Sequence, residues 1–411
     1  MPSEMFSKSR REELALGPAN RRPKNKPTAA KARITVAVRK KPLTAEEAKN
    51  DTDILDVVGR QKLVLHETRK ELSGTTDKTT QQGFQFDRVY DEYCSNLTIY
   101  KSCVRTLVDS MFECGGRCSC FAFGQTGSGK TYTMMGPRKR GGKQEDSCSR
   151  GLWEWAAIDL EAWMKKPAYR ERFVLAISFY EIHSNKAYDL LNNRNLVRPM
   201  ESAEGGVVVK DLVIRVVTTE AEMAEVIDLG NSVRSTGKNS RNNESSRSHA
   251  ILSIELVQKT DIEYRLAENP RAENPRAENP RAENPREGAM GDRNGKLSAT
   301  ALQTALKEGR SVAVSVRGKA HGKLAFIDLA GSERGADSVQ FGRNTQQDGA
   351  NINKSLLALK ECIRAMDQGK DHIPFRDSEL TKVLRDFFTF ANGLCLMIAT
   401  VASSSTRKNA H

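Results

Sequence analysis

The chain lacks any apolar run able to cross a bilayer. Its best late stretch, residues 394–402, is far shorter than the roughly 20 residues a spanning helix needs. The basic residues at the N-terminus are followed by no apolar stretch, which excludes a secretory signal. Apolar content is low at 38% of 411 residues while charged content is high at 28%, as expected of a real core carrying polar tails or insertions. Eight cysteines cannot staple a chain this long. Cys118 and Cys120 alternate within an apolar run, and Cys114, Cys118 and Cys120 lack a second Cys or His pair at ligand spacing. Reduced, buried thiols of the cytosol are therefore the stronger reading, and zinc the weaker. No heptad repeat supplies a dimerising coiled coil.

Charge is what the chain has in excess. It carries a net +13, and residues 1–41 hold twelve Lys or Arg against three Glu. Such a surplus suits an acidic partner: nucleic acid, an acidic membrane or an acidic protein polymer. Pro18, Pro23 and Pro27 mark residues 1–32 as a basic, flexible arm. β-branched runs then recur at 34–38, 173–180, 250–257, 324–329 and 395–401. Between them, 354–366 places Leu356, Leu359, Ile363 and Met366 on one helical face. Residues 378–388 do the same with Leu380, Val383, Leu384 and Phe387. Alternating strands and helices predict a layered α/β domain over 33–402 with a polar tail at 403–411. The unit Arg-Ala-Glu-Asn-Pro repeats between Ala267 and Pro285, and a proline every fifth residue forbids regular structure. We read 259–311 as an extended spacer inserted between two strands, a placement that loop-closure entropy tolerates.

The sharpest motif is Gly124-Gln125-Thr126-Gly127-Ser128-Gly129-Lys130-Thr131, a complete phosphate loop after the strand 120–123. Its glycines let backbone amides curl around a β-phosphate. Lys130 brings a compact charge to the β- and γ-phosphates, and Thr131 a hydroxyl to Mg²⁺. Asp328, at the end of the strand 324–327, is placed to hold the Mg²⁺ shell, and Gly331 to offer its amide to a γ-phosphate. Upstream, Asn242-Asn243-Glu244-Ser245-Ser246-Arg247-Ser248-His249 brings hydroxyls for metal and phosphate and an Arg to pair with Glu333. Three such segments are the layout of an NTPase with two switch loops, whose hydrolysis drives a conformational change.

These residues resemble the kinesin motor domains. Ser245-Ser246-Arg247-Ser248-His249 and Asp328-Leu329-Ala330-Gly331-Ser332-Glu333 look like that family's switch motifs. Phe121-Ala122-Phe123 and Thr133-Met134 look like its phosphate-loop context. The resemblance implies a P-loop NTPase kinesin motor fold: a central mostly parallel or mixed β-sheet flanked by helices on both faces. It implies ATP with Mg²⁺ rather than GTP, the adenine near Arg39, Pro42 and Tyr132, and Ser246 on the metal. An Arg247–Glu333 salt bridge would form with the γ-phosphate, and Glu333 would help relay the proton of the attacking water. The implied partner is the microtubule, whose acidic surface accounts for the basic charge better than nucleic acid or membrane. The family's polymer face matches 351–366 and 372–386, with Arg376, Lys382 and Arg385 as tubulin contacts. The implied location is cytoplasmic and cytoskeletal, on microtubules such as those of a spindle or flagellum.

Asn353-Lys354-Ser355-Leu356-Leu357-Ala358-Leu359-Lys360-Glu361-Cys362-Ile363-Arg364 looks most like the internal-motor kinesins that depolymerise microtubule ends. Glu333-Arg334-Gly335-Ala336-Asp337 and the basic arm before the motor agree. A walking kinesin, or a microtubule binder with defective ATPase, are the alternatives. The subfamily's Lys-Val-Asp finger is absent, the corresponding stretch reading Lys70-Glu71-Leu72-Ser73. Glu379 stands where the family usually has a base. Residues 403–411 are too polar to match the family's final sheet-covering helix, so an exposed apolar sheet face is expected.

Overall fold

The computed structural model describes residues 33–70, 77–137, 150–202, 206–236, 247–266, 296–298, 300–301, 312–332 and 343–404. The basic arm 1–32, residues 71–73, the proline-spaced repeat and the tail beyond 404 lie outside them.

Sixteen strands are described: β1 Arg33–Lys41, β2 Leu55–Val58, β3 Lys62–Lys70, β4 Asp77–Gln85, β5 Arg88–Tyr90, β6 Arg117–Phe123, β7 Phe173–His183, β8 Lys186–Asp189, β9 Asn195–Glu201, β10 Val207–Lys210, β11 Arg215–Val217, β12 His249–Gln258, β13 Ile262–Leu266, β14 Val312–Val316, β15 Gly322–Asp328 and β16 Gly393–Ala402. Eleven of them form one mixed sheet in the order β10-β9-β8-β7-β12-β15-β6-β16-β1-β5, with β11 on β7. The half that carries the phosphate loop is parallel: β15, β6, β16, β1 and β5 all run the same way. Central parallel strands are covered on both faces, which is why β6 and β15 read as near-continuous apolar runs.

The principal helices are α1 Arg105–Glu113, α2 Lys130–Met135, α3 Leu152–Met164, α4 Glu220–Thr236, α5 Arg343–Asp367 and α6 Glu379–Thr389. Residues of α1, α3 and α4 pack on one sheet face around Phe112, Leu160, Leu175 and Met223. Those of α5 and α6 cover the other, with Leu356, Leu359, Leu380, Leu384 and Phe387 buried, and Ile363 and Met366 packed at the margin. Ser378 caps α6, accepting the Thr381 N–H at 3.1 Å. The predicted fold class and both helical faces are therefore present. None of the helices among the described residues is long and apolar enough to cross a membrane.

Two boundaries differ from expectation. The insertion expected over 259–311 begins in structure: β13 lies inside it and pairs antiparallel with β14 just beyond it, and Lys296 bridges Arg265. The buried Glu263 draws Lys296 and Arg317 onto this ribbon at 3.3 and 2.8 Å. The tail expected from 403 is packed for its first two residues. Ser403 and Ser404 are buried, the former's carbonyl accepting the Ile54 N–H at 3.0 Å and the latter's hydroxyl donating to Asp51 at 2.5 Å. On the α5 face of β1 and β16, Ile34, Val36 and Met397 remain half-exposed, while Ala37 and Ile398 on the opposite face are fully buried.

Candidate functional site

Register places the site. Parallel pairing sets Ala122 of β6 beside Asp328 of β15 and Phe123 beside Ala399 of β16, so the chain leaving β6 emerges between two strand ends. Gly124 sits at φ 149, and a Cβ there would meet the Thr400 carbonyl at 2.4 Å. The loop is stapled to β16 by Ser128, whose Oγ lies 2.7 Å from Thr400 Oγ1 and donates to Gln125 O at 2.7 Å. Gly129, at φ 101, caps α2 in the left-handed region with open space where a Cβ would stand. Lys130 is only 7% exposed, its Nζ donating to Gly124 O and Gln125 O at 2.9 Å each. The ammonium thus sits against the loop it is expected to serve, the loop that also holds Thr126 and Gly127.

On the metal side, Thr131 Oγ1 donates to Asp328 Oδ2 at 3.0 Å. Asp328 is 4% exposed, and its Oδ1 has no hydrogen-bond partner among the described residues. A buried carboxylate oxygen left open beside a threonine hydroxyl is a hard oxygen donor set, and it fits Mg²⁺ with its retained waters. Arg234, from the last turn of α4, was not singled out from the sequence. Its Nη1 lies 3.1 Å from Asp328 Oδ2 and its Nη2 donates to Ser248 O at 3.0 Å, with Glu181 Oε2 3.9 Å away. Met223, Ile227, Gly230 and Arg234 share the buried stripe of α4, so a charge on an apolar helical face was the available signal.

On the expected base side, Arg39 and Tyr132 come together, the guanidinium 5.3 Å from the ring centroid. Arg39 donates to Asn96 Oδ1, to Thr133 Oγ1 at 2.8 Å and to Cys94 O at 3.2 Å. Burial lowers its pKa from the usual arginine value. Asn96 is a second residue missed in the sequence; its amide donates to Tyr132 O and Arg150 O at 3.1 and 3.0 Å. Tyr132 is 46% exposed, leaving ring surface free, and Pro42 is exposed just beyond β1.

Of the switch residues, Arg247 is half-buried before β12, and Gly331 is buried after β15. The next residue, Ser332, donates its N–H to Gly124 O at 3.2 Å, tying this loop to the phosphate loop. Ser246 and Glu333 lie outside the described residues, and the expected Arg247–Glu333 pair with them.

This arrangement agrees with comparison to known proteins. The kinesin motor domain family model matches residues 39–269 and 297–410, passing over the repeat between them. The chain belongs to the kinesin motor domain family. A solved structure described as that of a fast kinesin, with implications for ATPase mechanism and interactions with microtubules, is similar at 26% identity and TM-score 0.64. The match covers 90% of this chain and 86% of that one. Kinesin motor domains are microtubule-stimulated ATPases that bind ATP with Mg²⁺, and this kinesin is a microtubule-based motor ATPase.

The face of the kinesin expected to meet the polymer is ordered by α5 and α6. Asn353, Lys354, Leu357, Lys360, Arg364 and Asp367 form the exposed stripe of α5, with Leu357 57% exposed. Beside it, the three cations expected to touch tubulin each hold a carboxylate of this chain. Arg376 grips Glu201 with Nε and Nη2 at 2.8 and 2.7 Å, Arg385 reaches Glu201 at 3.5 Å, and Lys382 pairs with Glu379 at 2.7 Å.

Proposed function

We propose that this kinesin uses ATP turnover to shorten microtubules at their ends rather than to walk along them. The observation that carries this reading is the exposed stripe of α5, written in the Asn353–Arg364 sequence that resembles the depolymerising kinesins, with Lys354, Lys360 and Arg364 turned outward. Three positive charges along one exposed helical face suit the acidic surface of tubulin.

The site roles that this reading assigns are those the resemblance implies, and the described phosphate loop, Asp328 and the Arg39–Tyr132 contact support them. Gly124, Gln125, Thr126, Gly127, Ser128 and Gly129 cradle the phosphates, and Lys130 binds the β- and γ-phosphates. Thr131, Ser246 and Asp328 would hold Mg²⁺, which would supply positive charge to neutralise the phosphates. Arg39, Pro42 and Tyr132 flank the adenine, with Tyr132 offering its exposed ring face. Gly331 donates its amide to the γ-phosphate, and Arg247 pairs with Glu333 to order the attacking water. Catalysis is then positioning and electrostatics, with Glu333 relaying the water's proton. ATPase activity that survives in Glu333→Ala counts against that relay.

The test follows stabilised microtubules by microscopy with ATP, using Lys130→Ala as control. Shortening from both ends by the wild type, and none by Lys130→Ala, is the expected result. Gliding or stepping at constant filament length overturns the depolymerase reading in favour of a walking motor.

A further inference from the structure

His249 opens β12 and has no part in the roles assigned above. Its imidazole is 2% exposed. Nδ1 accepts the Ala330 N–H at 3.0 Å, so in the neutral ring Nε2 carries the proton and donates to Ser355 Oγ at 2.8 Å. The Ser355 hydroxyl donates onward to Ile352 O at 2.7 Å. Burial, reinforced by Arg234, Lys130 and His183, lowers the ring's pKa to about 3, which keeps it neutral and preserves this direction of donation.

The two partners belong to two different parts of the molecule. Ala330 immediately precedes Gly331, and the loop continues to Ser332, whose N–H is held by the phosphate loop. Ser355 lies on the buried side of α5, next to Lys354 and two residues from Leu357 on the exposed stripe. Between them His249 is anchored, paired with Ile182 in the antiparallel β7–β12 ladder. Any rearrangement of the 329–330 peptide, or any slide of α5 at Ser355, must therefore strain or break a bond to the same ring. We propose that His249 is a positioning residue that couples the nucleotide loop to the polymer-facing helix, through Ala330 on one side and Ser355 on the other. The proposal rests on the reading that polymer contact at α5 accelerates ATP turnover.

The experiment measures phosphate release with and without stabilised microtubules, alongside thermal melting. Ser355→Ala cuts the helix side alone. His249→Asn keeps an acceptor near the Nδ1 position and loses the Nε2 donor. Leaving a buried hydrogen-bonding group without its partner lowers the ratio of stimulated to unstimulated turnover roughly fivefold or more in each variant. Acting through one bond, the double variant falls no further than the worse single variant. Ser355→Thr, which keeps the hydroxyl, restores the ratio. A ratio within about twofold of wild type in Ser355→Ala overturns the proposal. So do equal losses of both rates together with lowered melting, which mark a merely structural histidine. So do losses that multiply in the double variant. Absence of microtubule stimulation in the wild type itself identifies the underlying functional reading as what failed, and the proposal falls with it.

Discussion

Arg234→Met is the most informative single change, because it keeps the stem's volume and removes only the charge. Arg234, Asp328 and Glu181 have side chains 5%, 4% and 2% exposed. Glu181 retains Arg194 at 2.6 Å, but among the described residues Asp328 is left with the Thr131 hydroxyl alone. Stripping one partner from a buried pair costs about 3–5 kcal/mol, since the remaining charge is neither solvated nor paired. Adding Asp328→Asn removes that stranded charge, so the double variant recovers about 1–3 kcal/mol relative to the sum of the single changes. Urea unfolding followed by circular dichroism at neutral pH, on wild type, both single variants and the double, supplies the four free energies. A cost below about 1 kcal/mol for Arg234→Met, or strict additivity, refutes the claim that Arg234 and the buried Asp328 stabilise each other as a pair.

Acid should weaken the fold through His249, whose pKa falls from 6.5 unfolded to about 3 folded. Between these values the unfolded chain binds the extra proton, so this group's contribution is constant above about pH 6.5 and declines by about 1.4 kcal/mol per pH unit below it. His249→Gln, compared with wild type over that range, should remove this part of the slope; an unchanged slope refutes the assignment. Tyr132→Ala should weaken ATP roughly 5- to 150-fold, as loss of a base stacked on an aromatic ring does, and leave tripolyphosphate binding unchanged. Calorimetry that shows equal losses for both ligands removes Tyr132 from the adenine site. Glu201→Gln should free Arg376 and Arg385 and tighten microtubule binding roughly two- to fivefold at low salt, with the difference fading as salt screens it. Weaker co-sedimentation would instead mean that Glu201 holds the arginines in a binding-competent pose.

The phosphate loop was legible because all its determinants are contiguous, a β6 strand followed by glycines and Lys130. Asp328 was legible because an acidic residue closing an apolar strand has few other uses. Arg234 showed only as a charge on an apolar helical face and Asn96 not at all, because each meets its partner across a sequence separation of 94 and 57 residues. The central strands and β7 showed in their apolar runs, whereas the β8–β10 edge did not. Its β7–β8 turn uses Ser184 and Asn185 at φ 48 and 59, and Asn193 and Arg194 follow at φ 48 and 60. Left-handed turns built without glycine give no Asn-Gly or Asp-Gly punctuation to read. The cations on and just before α6 were visible as charges, but the Glu201 that holds Arg376 and Arg385 comes from an edge strand the sequence left unread.

Phosphate release by the wild type and by Lys130→Ala, each with and without microtubules, tests the central claim most directly. A buried lysine that serves the phosphates, in a site linked to the α5 face, predicts slow turnover alone and faster turnover with polymer in the wild type. In Lys130→Ala, removal of a charge aimed at the transferring phosphate lowers both rates by roughly 10²–10³. Turnover by Lys130→Ala at the wild-type rate, or wild-type turnover indifferent to microtubules, would contradict it.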